Sequence, residues 1–464
     1  MVSFDGGSSA KRLYLQRDVT FKRLDIFLGM HKKPQDAAPE DPRKPSVRQN
    51  ALRYILANLR LQDQNAKGDI LSQPKLVRAI FQDIKDDSAN MVHETLSTVK
   101  KSVALDATLS RTVKSRLFTD WTLTRIASLY GFEEDETLLD GRPAVRDFAH
   151  ALLLFICTTI DHGVLVAQSG WYPPGTDVPS NAPDTEETPL GVDQLIRYDR
   201  FTDKVPVRNT TLASFIQGLR PYASNLQREL LLAIFRIAPE LVADYFFKKK
   251  SFSFDPKLSA TWIGYSAFLF SVARLGVPDG KLSDIPPPVS IVIESILPQP
   301  LTQKALIRCL NQNTSLITFF AARLLIVSFS KLNSVLISFH PKERSDTVWG
   351  RARVRLKAEF CKRSPELKHV IAAFRTCPKD SATLREALLR LLAMYYKYIP
   401  QVALEEKFDI SIALSQALHD IELTKEDLDN KGIRLMQLDH LLEIAHRSPD
   451  MQWWQKPGQS VNMF

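Results

Sequence analysis

The stretch Val145-Arg146-Asp147-Phe148-Ala149-His150-Ala151-Leu152-Leu153-Leu154-Phe155-Ile156-Cys157-Thr158 decides the fold class. Val145, Phe148, Ala149, Leu152, Leu153 and Ile156 recur at the three- and four-residue spacing of one helix face. Asp140 and Pro143 supply start signals. Leu154 and Phe155 add a second apolar face, which predicts a helix enclosed on two sides, as in a stack. A second segment repeats the logic with Leu384, Ala387, Leu388, Leu391, Leu392, Tyr395 and Ile399. Its outer face carries Arg385, Glu386, Arg390 and Lys397, and Pro400 stops it.

Similar patterns recur at 47–61, 74–85, 91–104, 111–130, 209–219, 224–236, 239–247, 259–275, 300–310, 316–338, 347–362, 366–376 and 431–446. Alternating apolar/polar runs of the kind a sheet needs are almost absent. The expectation is an all-α fold, a HEAT/armadillo-like α-solenoid of degenerate helical repeats. TPR and ankyrin consensus positions are missing, and an irregular helical domain is the rival. Three stretches interrupt the pattern: His31–Pro45, rich in Pro and charge; Trp171–Pro189, Pro-rich and acidic; and Gly276–Pro288, which contains a Pro triplet. The expected organisation is an N-terminal helix and mobile linker (1–45), helical repeats (46–170), a Pro-rich acidic loop (171–190) and further repeats (191–464).

Composition agrees with a folded soluble helical protein. Of 464 residues, 44% are hydrophobic and 24% charged, with 27 Pro against 17 Gly. Cys157, Cys309, Cys361 and Cys377 form no CxxC pair and read as reduced thiols of a cytosolic or nuclear protein. Met1–Ala10 is polar and lacks a signal-peptide core, so the triplets at Asn209 and Asn313 read as chance glycosylation matches. Thr314–Phe339 is the most apolar stretch, but Arg323 and Lys331 interrupt it; one or two buried helices are expected and no membrane partner.

No catalytic constellation is found, so the chain is read as a non-enzyme without cofactor, metal or small-molecule substrate. Gly276-x-x-x-Gly280-Lys281-Leu282 has the wrong spacing for a P-loop and no Ser/Thr after the Lys. His150, Cys157 and His162 do not share one helical face, which argues for structural roles over metal ligation. Glu133-Glu134-Asp135-Glu136 reads as a solvated turn.

The charge pattern says more. The net charge of +9 permits an anionic partner without requiring one. Lys342–Arg363 is rich in basic residues, Lys342 and Arg344 among them, and Val348, Ala352, Leu356 and Phe360 give it an apolar stripe. The expected result is a helix packed on one side with a basic ridge of Arg351, Arg355 and Lys362 on the other, flanked by Arg353 and Lys357 and ending at Arg363. Guanidinium forks suit phosphate, so RNA is a candidate partner. Lys248-Lys249-Lys250 forms a second cluster at a helix end. The alternative for both is a solvated face.

Several blocks resemble the N-terminal domain of the nucleolar pre-ribosomal-associated protein family (Npa/Urb, unhealthy ribosome biogenesis). They are Ala144–His150 running to Asp161-His162-Gly163; Ala238-Pro239-Glu240-Leu241 with Tyr245-Phe246, Ser251–Phe254 and Thr261-Trp262; Tyr395-Tyr396, Ile399-Pro400 and Lys407-Phe408-Asp409; and Leu117-Phe118 with Ile126–Tyr130. They lie in order over about Leu76–Leu414, and none is a chemical signature. The resemblance implies a large nucleolar helical-repeat scaffold in early assembly of the large ribosomal subunit. Its partners would be pre-ribosomal RNA, small nucleolar RNPs and assembly proteins including a DEAD-box helicase. It also implies that this chain corresponds to the N-terminal portion of a longer protein. A karyopherin-like HEAT-repeat adaptor without RNA contact is the competing reading, against which the basic charge argues.

Overall fold

The computed structural model describes residues 4–30, 45–134, 142–167, 170–171, 205–249, 254–278, 286–312, 314–343, 347–378, 381–423, 428–448 and 451. The expected linker lies outside these residues except for Pro45, and the Pro-rich loop except for Trp171. Lys281 of the P-loop-like stretch also lies outside them. Every regular element among the described residues is a helix. The chain divides into two compact units, Met1–Gln168 with Arg208–Ala238, and Ser169–Val207 with Pro239–Phe464.

The first unit holds α1 (Ser8–Leu15), α2 (Leu24–Leu28), α3 (Val47–Leu61), α4 (Gln64–Leu71), α5 (Pro74–Gln82) and α6 (Ala89–Val99, extended by a π turn over Lys100–Ala104). It continues with α7 (Arg111–Leu117), α8 (Asp120–Ala127, followed by a 3-10 turn Ser128–Gly131), α9 (Val145–Thr158), α10 (Thr210–Gln217) and α11 (Asn225–Ile237). α9 packs against α6, α8 and α11; Leu152, Leu153 and Ile156 of its first apolar face are buried, whereas Leu154 and Phe155 of the second are only half-buried. Its start differs from expectation. Ala144 is the N-cap and has no side-chain cap; the Val145 amide donates instead to the Glu134 carboxylate at 2.9 Å. Part of the acidic turn therefore serves the helix, since an N-terminal amide favours a carboxylate.

The segment 111–130 is two helices. Phe118 leaves helical backbone at ψ 64°, and the Thr119 hydroxyl accepts from the Thr122 amide at 3.2 Å to start α8. Asn209, the N-cap of α10, ties that helix to the segment following α9. Its amide oxygen accepts from the Val166 N–H at 2.7 Å and its amide nitrogen donates to the Val166 carbonyl at 3.2 Å. That two-point pairing buries Asn209 and removes it from any role as a glycan acceptor.

The second unit holds α12 (Glu240–Lys248), α13 (Ala260–Ala273), α14 (Val289–Ile296), α15 (Gln303–Leu310), α16 (Ser315–Glu343) and α17 (Thr347–Arg363). α18 (Leu367–Thr376), α19 (Ala382–Tyr398, followed by a single turn Pro400–Ala403), α20 (Ser411–Leu423) and α21 (Leu428–Arg447) complete it. The apolar stretch 314–339 is one helix, α16. By length and composition it could cross a membrane, but 61% of its most apolar window is buried inside the protein, against α13, α15, α17 and α19. Phe329 is its anchor, with ring centroids 4.8 Å from Phe360 and 4.9 Å from Tyr395. Leu384, Leu388, Leu391, Leu392 and Tyr395 are all buried in α19, as the spacing predicts.

One device recurs in both units: a buried or half-buried cation from one helix caps the C-terminal carbonyls of another. A helix end leaves its last carbonyls without partners and carries partial negative charge, so a cation placed there satisfies both. Arg48 of α3 donates to Leu28 at the end of α2 and to Ala79 and Ile80 at the end of α5, while pairing in bidentate fashion with Asp87 at 2.7 and 2.8 Å. Lys67 of α4 reaches Ser102, and Lys114 of α7 reaches Ala104, both in the π turn that ends α6. Lys331 of α16 reaches Val272 at the end of α13 at 3.2 Å, and burial pushes its ammonium down to about 7. Arg363 of α17 reaches Leu297, the C-cap of α14, at 3.0 Å.

Candidate functional site

α17 forms the surface singled out by its charge. Ala352, Leu356 and Phe360 are fully buried and hold the helix against α14 and α16, while Trp349 sets its first turn edge-on to Phe339 at 5.1 Å. With that stripe fixed, Arg351, Arg355 and Lys362 fall within about 40° of arc on the outer side. Arg351 and Lys362 are exposed; Arg353, Arg355 and Lys357 are half-buried along the flanks. Lys362 leans on Glu359 at 2.5 Å, a surface pair worth little against solvent screening. Val354 stands 68% exposed among these cations. The side chain of Lys342, and Arg344 altogether, lie outside the described residues.

Arg363 departs from this arrangement. It turns inward to the Glu294 carboxylate at 2.7 Å, whose side chain is completely buried. The second Glu294 oxygen accepts the Gln299 amide at 2.7 Å. Burial raises the Glu294 pKa, and the Arg363 guanidinium opposes that rise. Arg363 is thus a structural counter-ion. Periodicity could not separate it from Arg351, because its partner sits on another helix.

The lysine triplet is also partly engaged. Lys248 pairs with the buried Asp244 at 2.7 Å, Lys249 lies 5.8 Å from the centre of the Tyr245 ring, and Lys250 is outside the described residues. His150, Cys157 and His162 are not brought together as a ligand set. The His150 Nδ1 lies 3.0 Å from the Tyr130 hydroxyl, Cys157 is buried with its thiol pushed up by desolvation, and His162 stacks on Phe155. Among the described residues no group of three or more His, Cys, Asp or Glu is placed to hold a metal.

A family model described as the N-terminal region of ribosome 60S biogenesis proteins, Npa1, matches residues 1–265. The chain is also similar to nucleolar pre-ribosomal-associated protein 1 of Saccharomyces cerevisiae, at 22% identity over 100% of the chain and 25% of that protein. The Homo sapiens protein of the same description is 22% identical over 87% of the chain and 18% of its own length. The Mus musculus one is 26% identical over 47% of the chain and 9% of its length. The chain therefore spans a quarter or less of the length of these relatives.

Proposed function

The chain belongs to the Npa1 family of ribosome 60S biogenesis proteins, and from that premise we propose that it is a nucleolar scaffold in early assembly of the large ribosomal subunit. In this reading each unit is a run of degenerate HEAT/armadillo-like repeats that presents surfaces to precursor rRNA, small nucleolar RNPs and assembly proteins, a DEAD-box helicase among them, and performs no chemistry of its own. The observation that carries it is the family match over more than half of the chain. The α17 ridge supports an RNA contact: an apolar stripe fixes the helix and leaves Arg351 and Lys362 exposed, with Arg355 half-buried on the same line.

Cross-linking of the tagged chain in cells, with sequencing of the attached RNA, tests the reading. Enrichment of large-subunit precursor rRNA is the expected result. Recovery of assembly proteins with no enriched RNA would reduce the function to protein docking, and recovery of neither would overturn it.

A further inference from the structure

In the first unit α8 has two unlike faces. Thr122, Leu123, Ile126 and Ala127 point into the core and are buried. Trp121, Thr124, Arg125 and Ser128 follow one another at helical spacing on the opposite side, and none of them is buried. The Trp121 ring has two guanidiniums over it: Arg125 lies 5.2 Å from a ring centroid and Arg78 of α5 lies 5.9 Å away. Among the described residues no carboxylate lies within ion-pair distance of either arginine. Lys75, also exposed, stands one turn before Arg78.

Where α8 ends, this face runs into a cleft of about 460 Å³. Thr124 and Ser128 form one wall; Lys85 and Arg220 bring cations from the turns after α5 and α10; Tyr130 and Phe215 add aromatic surface. Among the described residues no Asp or Glu lines it. Both sides are held in place. The Tyr130 hydroxyl is 3.0 Å from His150, and the Gln227 side-chain oxygen accepts the Arg220 amide at 2.7 Å. The volume falls in the range of small-ligand sites and accepts a single nucleobase.

We propose that this face binds single-stranded RNA: one base stacks on Trp121, the adjoining phosphates lie against Arg78 and Arg125, and a neighbouring base enters the cleft. The inference rests on the RNA-contact reading and adds to it a second surface, on a different unit from α17. A partly exposed tryptophan with guanidiniums over its ring, and no carboxylate pairing them among the described residues, is a combination that stacking on unpaired bases uses. A duplex keeps its bases stacked inside and offers none to Trp121.

The test uses the 464-residue chain and fluorescence anisotropy with labelled oligouridylate, a duplex RNA of equal length and a polyglutamate peptide. Trp121→Leu should weaken single-strand binding about 5- to 100-fold at an unchanged salt slope. Trp121→Phe should restore most of it. Arg78→Gln with Arg125→Gln should lower the salt slope by about 1.4. The variant Arg351→Glu, Arg355→Glu, Lys362→Glu serves as the comparison. If the wild-type chain binds the single strand and Trp121→Leu binds it equally well, this face is refuted while RNA contact through α17 stands. If the wild-type chain binds no RNA, the RNA-contact reading fails and the inference with it. Tighter binding of polyglutamate than of oligouridylate, abolished in the Arg78/Arg125 variant, would overturn the proposal in favour of an acidic protein segment.

Discussion

Replacing Arg363 by Met should cost the second unit about 3–5 kcal/mol at pH 8. Glu294 is fully buried, and Arg363 at 2.7 Å is its counter-charge. Methionine fills much of the volume but leaves a carboxylate in the protein interior with a single amide donor, Gln299. It also removes the cap on the Leu297 carbonyl, which accounts for about 1 kcal/mol. The assay is hydrogen exchange of the α14 and α17 amides, which reads local opening without assuming that the whole chain unfolds in one step. Protection should fall by about a hundred- to several-thousand-fold. The pH dependence supplies a second check. Burial raises the Glu294 pKa in the folded state, so the folded chain holds its proton more tightly than the unfolded chain does. The contribution is complete below the unfolded value near 4.5 and is lost as pH rises through the folded value. Loss of Arg363 raises the folded value further, so the cost of the substitution should shrink on acidification from pH 8 to 5, by at most about 1.4 kcal/mol per pH unit. Glu294→Gln in the same chain should recover most of the loss. A loss below about 1 kcal/mol at pH 8, or one that Glu294→Gln leaves untouched, would refute the account.

A Cβ on Gly163 would sit 1.7 Å from the Ile156 carbonyl oxygen, so Gly163→Ala must move backbone and should cost the first unit about 2–4 kcal/mol in thermal or urea unfolding. Lys331→Met should flatten the pH dependence of stability between 7 and 10.5: the depressed ammonium contributes stability above 10.5 that is lost as pH falls towards its folded value, and equilibrium unfolding at several pH values reads the difference. Arg351→Glu with Arg355→Glu and Lys362→Glu should weaken RNA binding and reduce the salt slope by about 0.7–0.9 for each phosphate that is no longer neutralised, measured by titration across salt concentrations.

Long periodic segments were legible because burial imposes their spacing. α9 and α19 begin and end within two residues of the sequence expectation. The break at Thr119 was not, since Thr followed by Asp is tolerated within a helix and becomes a cap only when the preceding residue leaves helical backbone. α14 was missed for another reason: Val289, Ile291, Val292, Ile293 and Ile296 are all buried, and an element enclosed on every side shows no period. The apolar side of α17 followed from its stripe, and the fate of Arg363 did not, because a counter-ion on another helix leaves no local trace. Trp121 escaped notice because a lone aromatic in an amphipathic helix reads as core until its neighbours are known to be Arg78 and Arg125.

The cations that close neighbouring helix ends bear on cooperativity. A helix whose last turn is stoppered by its neighbour cannot fray alone: loosening α7 withdraws Lys114 from the end of α6, and loosening α16 withdraws Lys331 from the end of α13. Each such plug links the melting of one helix to that of the next, although no sequence repeat enforces a uniform interface between them. Disorder that starts at one helix of a unit therefore travels to its neighbours and does not stay local, so each unit should lose its helices together.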